Sequence, residues 1–254
     1  MSIALKTNGV LAARMAAILA VGLAIAAHAE GETPFDEAEL FFELNNTDED
    51  LGIHAVIDGD EWKWLTIEGP DELSLLDVLV RGRLRQQGLT EFNFESAEPP
   101  FDEVPPQRVF QRFPEGEYEI EGMTLDGEEL ESVVELSHVM PAPPKFIAPL
   151  LDADSCEDPT RIGPPGTTVV IRWKNVDSSH PTVGDPGKIE VERYEVALER
   201  ERPELTLFAE LPSWVTRYRI PDEFTSRAGV VKFEVLVKAE NGNRTAEERC
   251  FELR

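Results

Sequence analysis

The chain is poor in the residues that usually carry chemistry. Its 254 residues include two cysteines, four histidines, and 24 lysines and arginines set against 50 aspartates and glutamates. Beyond the first 29 residues the histidines are His54, His138 and His180, far apart in sequence. No His-Glu-x-x-His, Gly-x-Ser-x-Gly, phosphate-cradling Gly-Lys-Ser/Thr or dinucleotide-binding glycine pattern occurs. The signatures of zinc peptidases, elbow-type hydrolases and nucleotide-binding enzymes are therefore missing. A Ser/His/Asp triad can assemble from distant positions, but no local pattern supports one. No catalytic residue is assigned, and the expectation is a protein that is not an enzyme. An unrecognised hydrolase is the third alternative. Glu91, Glu95 and Glu98 offer carboxylate pairs of the kind glycosidases use, yet among fifty acids such spacings arise by chance.

Long apolar runs are also absent after residue 29. Before it, Lys6 and Arg14 precede "MAAILAVGLAIAAHA", and Ala27-His28-Ala29 supplies a small-residue cleavage signal. The run is short of the roughly 20 apolar residues that a membrane span needs. The expectation is a secretory signal over residues 1–29, a mature chain from near Glu30, and a secreted, periplasmic or cell-surface location. No membrane span remains after cleavage, and no cysteine sits at the junction to carry a lipid.

Losing Lys6 and Arg14 takes the formal charge from −26 to −28. Such a surface repels nucleic acid phosphates and favours cationic partners. The expected partner is an unidentified protein or polysaccharide, cationic if charge selects it. The two cysteines, Cys156 and Cys250, lie in a chain bound for an oxidising compartment, and one disulfide is the economical reading.

Four Trp, thirteen Phe and alternating aliphatics argue for packed domains, not disorder. The alternation has a period of two. In "LTEFNFES" Phe92 and Phe94 share one face; Leu76, Val78, Val80 and Leu84 alternate with polar residues; "GEYEIEGMTL" alternates Tyr118 and Ile120 with Glu117, Glu119 and Glu121. Gln86-Gln87-Gly88, Asp126-Gly127 and Asp58-Gly59 read as hairpin turns. No convincing helix appears, a helix over Asp71 to Arg85 being the alternative left open, and "EPPFDEVPP", residues 98–106, reads as an exposed crossover. The expected architecture is all-β, two antiparallel β-sandwich domains in tandem. An acidic leading segment over 30–38 precedes a first domain over 39–140. A Pro-rich linker, "PAPPKF" at 141–146, separates it from a second domain over 147–254.

The second half carries a more specific pattern. Trp173 closes the second strand, Tyr194-x-Val196 lies in the third, and Phe233-x-Val235-x-Val237-x-Ala239-x-Asn241 forms the penultimate strand. These residues resemble a fibronectin type III domain. Phe233 stands where that family usually has tyrosine, so it can fill the core but cannot supply the tyrosine-corner hydroxyl. There is no Arg-Gly-Asp, so integrin-type adhesion does not carry over. The resemblance implies a secreted, non-catalytic interaction or structural protein, serving adhesion, envelope or extracellular assembly.

A ligand-binding module for carbohydrate or calcium is the alternative. Trp62 and Trp64, two residues apart in a strand, would form a stacking platform if exposed. Asn46, Asp48 and Asp50 match the first three ligand positions of a calcium loop. The positions that shape and close that loop fall on Leu51 and Ile57, which do not fit, and no cofactor is otherwise expected. Two sequons, Asn45-Asn46-Thr47 and Asn243-Arg244-Thr245, would matter only in a glycosylating host.

Overall fold

The computed structural model describes residues 32–152 and 155–254, and the expected signal over 1–29 lies outside them. The alternating sequence produces an all-β chain. The N-terminal half holds β1 (Glu32–Thr33), β2 (Glu37–Asn45), β3 (Asp50–Glu68), β4 (Ser74–Leu79) and β5 (Leu89–Glu95). A short helix α1 (Pro106–Arg112), β6 (Gly116–Thr124) and β7 (Glu129–Leu136) complete it. The C-terminal half holds β8 (Phe146–Ala148), β9 (Thr160–Gly163), β10 (Val170–Trp173), β11 (Val191–Glu201), β12 (Glu204–Pro212) and β13 (Arg217–Arg219). One helical turn, α2 (Asp222–Thr225), then leads into β14 (Gly229–Ala239) and β15 (Arg244–Leu253).

β3 organises the first half. It is one 19-residue strand, so the expected hairpin at Asp58-Gly59 does not form. A tight Asp-Gly turn needs glycine in the left-handed region, and Gly59 is not among the positive-φ glycines. Asp126-Gly127, by contrast, turns as expected, with Gly127 at φ +94°. Gly59 instead lets the leading segment come close, since a Cβ there would meet the Phe35 ring at 3.1 Å. One half of β3 runs between β2 and β5, the other between β6 and β4. Register shifts near Trp62 bend the strand as it changes neighbours. Phe42, Leu44, Ile53, Ile57, Trp62 and Ile120 fill the core beneath it.

Three further expectations are corrected here. Residues 32–38 are not a loose lead-in: β1 pairs with β7, and Phe35 is buried in the core. The proline-rich crossover ends in helix α1, because Pro106 is pre-set for a first helical turn. Val109 and Phe110 of that helix are buried, with Phe110 edge-on to Phe42 at 5.0 Å. The alternating run over 76–84 stops at Leu79, and a 3-10 turn over Gly82–Gln86 follows.

In the second half, β13, β10 and β8 form a three-stranded sheet. It faces β12, β11, β14 and β15 across a core of Trp173, Tyr194, Val196, Phe233, Val235 and Phe251. Two facing sheets with Trp173, Tyr194 and Phe233 inside fit the fibronectin type III-like expectation. The Tyr194 hydroxyl accepts a hydrogen bond from the Val176 N–H at 2.9 Å. The Cys156–Cys250 disulfide forms, fastening the segment before β9 to β15.

The pairing is not purely antiparallel. β1 with β7, β9 with β15 and β2 with β15 are parallel. The last of these joins the two halves, so that β12–β11–β14–β15 continues through β2 and β3 as one twelve-stranded sheet. Pro141, Ala142 and Pro144 of the Pro-rich segment are buried, and the Pro141 carbonyl accepts the Thr245 hydroxyl at 2.8 Å.

Candidate functional site

The Trp pair does not make a platform. Trp62 is fully buried, edge-on to Phe92 at 6.2 Å. Across β6, Trp62 opposes Thr124 and Trp64 opposes Met123, one residue apart on β6 against two on β3. The bulge between them turns the two rings to opposite faces. Trp64 is half-buried and lines a shallow cleft of about 760 Å³ with Lys63, Leu79, Arg81 and Arg85.

The acidic loop is occupied in joining the halves. The Asn45 side-chain oxygen Oδ1 accepts the backbone N–H groups of Thr47 and Asp48 at 2.9 and 3.2 Å, a local Asx turn. Asn46 donates to Glu247 at 2.7 Å, and its oxygen lies 3.0 Å from His180 Nε2. The Thr47 hydroxyl accepts the Glu248 N–H at 3.0 Å. Two residues of the supposed ion loop therefore bind β15 and the 180s loop. Asp48 is exposed and accepts from Asn45 at 3.2 Å. Asp50 is half-buried, and burial followed by the charges of Glu98 and Asp48 pushes its carboxyl up to about 6.

At the other end of the seam, Lys238 on β14 is 2% exposed. Its ammonium lies 2.6 Å from Glu39 on β2 and 3.1 Å from Glu192. Arg244 stacks 3.8 Å above the Phe41 ring and reaches Glu39 at 3.2 Å. Burial alone would raise the Glu39 carboxyl, but the hydrogen bond and charge of Lys238, with Arg244 and Arg193, hold it below its usual range. Asn243 is wholly buried. Its oxygen accepts from Phe42 N–H at 2.9 Å, and its amide donates to the Ser137 and Val139 carbonyls at 2.7 and 3.1 Å. That sequon is structural glue and has no room for a sugar.

Glu234 titrates the other way. Burial, then Glu43, pushes Glu234 up to about 7. A carboxyl raised in the fold stabilises it below the unfolded value, about 4.3, and loses that contribution as pH rises through the folded value. Stability should therefore increase as pH falls from 8 to 5, and Glu234→Gln should remove most of that slope. The expected gain of the variant at pH 8 is about 3–4 kcal/mol at most, read from urea midpoints across the pH range. An unchanged slope in the variant would contradict the assignment.

A second arrangement draws on three segments. Glu115 precedes β6, His138 follows β7, and Asp185 lies in the loop before β11. One ligand atom from each side chain falls within 4.8 Å of the other two. Glu115 Oε1 accepts the His138 backbone N–H at 2.6 Å and faces the Ser137 hydroxyl at 3.3 Å. The Asp185 N–H donates to the His138 carbonyl at 3.0 Å. Gly184 makes this approach possible: at φ +75°, an added Cβ would stand 2.1 Å from the His138 oxygen. The His138 ring lies 4.5 Å from Phe110. Its Nε2 is 2.8 Å from the Phe113 carbonyl, a contact in which the nitrogen can only donate. The trio borders a cleft of about 390 Å³ shared with Gln107, Gln111 and Pro114. Among the described residues it is the one such group of three. Spacings of 23 and 47 residues leave no local motif for the sequence to show.

No known protein family matches the chain. No curated protein matches it either. Among solved structures, a tetra-tandem repeat from the extending region of a large adhesion protein has 10% identity and a TM-score of 0.29, covering 86% of this chain and 50% of its own. The FN1–FN3 domains of chicken CNTN1 have 8% identity and a TM-score of 0.32, with 88% and 65% covered. The human OSCAR ligand-binding domain has 11% identity and a TM-score of 0.26, with 84% and 97% covered. The chain thus spans less than two thirds of the first two. Likenesses of this strength carry no function across.

Proposed function

We propose that this is a non-catalytic structural or interaction protein of the cell exterior, in which two β-sandwich-type modules act as one stiff body. The observation that supports this most is the β2–β15 pairing, with Lys238 and Asn243 buried beside it and Lys238 bound to the half-buried Glu39 of β2. A flexible tether between modules needs an exposed, loosely bonded segment, whereas here the backbone ladder runs through the junction. A disulfide suits an oxidising location. No helix among the described residues is long and apolar enough to cross a membrane. The stiff body would hold binding faces at a fixed spacing for a protein or polysaccharide partner. Calorimetric unfolding of the mature chain tests this, with one transition expected to span both cores.

The carbohydrate alternative loses its paired platform with Trp62 inside the core. Calcium binding at Asn46, Asp48 and Asp50 would have to displace Asn46 from Glu247 and His180. A thermal midpoint unmoved by millimolar calcium is the result expected from that occupancy; a rise abolished by Asp48→Ala with Asp50→Ala would restore the calcium reading.

A further inference from the structure

We propose that Glu115, His138 and Asp185 form a binding site for a borderline divalent transition cation, zinc being the first to test, which clamps the loop before β11 onto the end of β7. The donor set decides the class of ion. Calcium and magnesium take oxygen ligands, whereas an imidazole nitrogen beside two carboxylates suits zinc and its transition-metal neighbours. Zinc bonds to such atoms are about 2.0–2.2 Å long, so ligands on one ion lie within about 4 Å of one another. The present spread of 4.8 Å closes by small rotations of two exposed side chains.

The ring is already prepared. With Nε2 donating to Phe113, the lone pair sits on Nδ1, and a histidine ligand held through its second nitrogen by a backbone carbonyl is the usual supporting arrangement. A tilted contact with the Phe110 ring at 4.5 Å restrains the imidazole from one side. Backbone contacts position both acids relative to the same residue: Glu115 on the His138 N–H, and Asp185 through its own N–H on the His138 carbonyl. The Asp185 carboxylate makes no side-chain hydrogen bond or ion pair with any described residue, and no lysine or arginine lines the cleft. Two carboxylates about 4 Å apart repel by about 1 kcal/mol in water and about 4 kcal/mol in surface-protein surroundings. A cation removes that repulsion, and three protein ligands leave one position of a tetrahedral ion to water. The clamp goes beyond the structural role proposed above and does not depend on it.

The test uses the intact mature chain, first stripped of metal with a chelator. Zinc is titrated by calorimetry, and cobalt by its visible absorption, into the wild type, Asp185→Asn, and Asp185→Asn with Glu115→Gln. Glu115→Gln keeps an oxygen for the His138 N–H, and Asp185 is exposed, so both variants should keep the wild-type circular dichroism. The expected result is one zinc per chain, with affinity falling at least tenfold in each variant and the cobalt bands lost in the double. Three results would each overturn the proposal. They are no stoichiometric binding at 100-micromolar zinc (about that level), unchanged affinity in the double variant, and displacement of zinc by equimolar calcium.

Discussion

Replacing Cys156 by serine should cost about 4–5 kcal/mol of stability, the largest effect expected of any surface-proximal substitution in this chain. The bridge closes a loop with a sequence separation of 94. In the loop-entropy account a 15-residue loop contributes about 3 kcal/mol and a 100-residue loop about 4.7 kcal/mol. Cys250 is 5% exposed on β15, and its backbone N–H donates to the Ser155 hydroxyl at 3.1 Å. Reduction thus frees both the covalent link and the segment that leads into β9. Urea unfolding with and without reductant measures the effect. Because the two sulfurs act as a unit, Cys156→Ser, Cys250→Ser and the double variant should lose similar amounts. Additive losses would mean that the cysteines stabilise through separate packing and not through the bridge.

Lys238→Ala should cost about 2–3 kcal/mol and act at the seam. Breaking a buried pair by removing one partner ordinarily costs about 3–5 kcal/mol, because the other charge is left uncompensated. Here the ammonium side chain is 3% exposed, but Glu39 is 27% and Glu192 41% exposed, so water relieves part of the penalty. Arg244 remains 3.2 Å from Glu39 and relieves more. Lys238→Met, which keeps the stem packed but removes the charge, should also lose stability. Glu39→Gln added to Lys238→Met should recover much of it, since the stranded carboxylate is then gone. Urea midpoints of the three variants decide this, and a double variant weaker than Lys238→Met alone would show that the stranded charge is not the cause.

Architecture was legible in the sequence wherever one side of a strand faced a core. Phe92 and Phe94, Tyr118 and Ile120, and the Phe233–Val237 run all lie on the faces that their alternation predicted. The pairing of Cys156 with Cys250 followed from count and compartment. Local signals misled where tertiary contact overrode them. Asp58-Gly59 has turn chemistry, yet Phe35 packs there and β3 runs straight through. Trp62 and Trp64 share a face only in a regular strand, and the bulge between them breaks that period. Pro106 looked like part of a loop because Val109 and Phe110 make only one helical turn's worth of apolar pattern. The seam was not readable at all: the β2–β15 pairing matches residues some 200 apart, such as Glu43 with Arg244. The same is true of Glu115, His138 and Asp185, which meet only because Gly184 admits the His138 carbonyl. The loop over Asn46–Asp50 stands out in the sequence for its charge, whereas its amide and hydroxyl groups do the joining.

Scanning calorimetry of the mature chain tests the stiff-body account most directly. With the seam intact, a single transition is expected, and its van't Hoff enthalpy should equal the calorimetric enthalpy for all of the roughly 225 residues. The same experiment on Lys238→Ala should lower that single midpoint or split it into two. Two separate transitions in the wild type, each with the enthalpy of about 100 residues, would contradict the account and leave the two cores as independent domains that merely share a sheet edge.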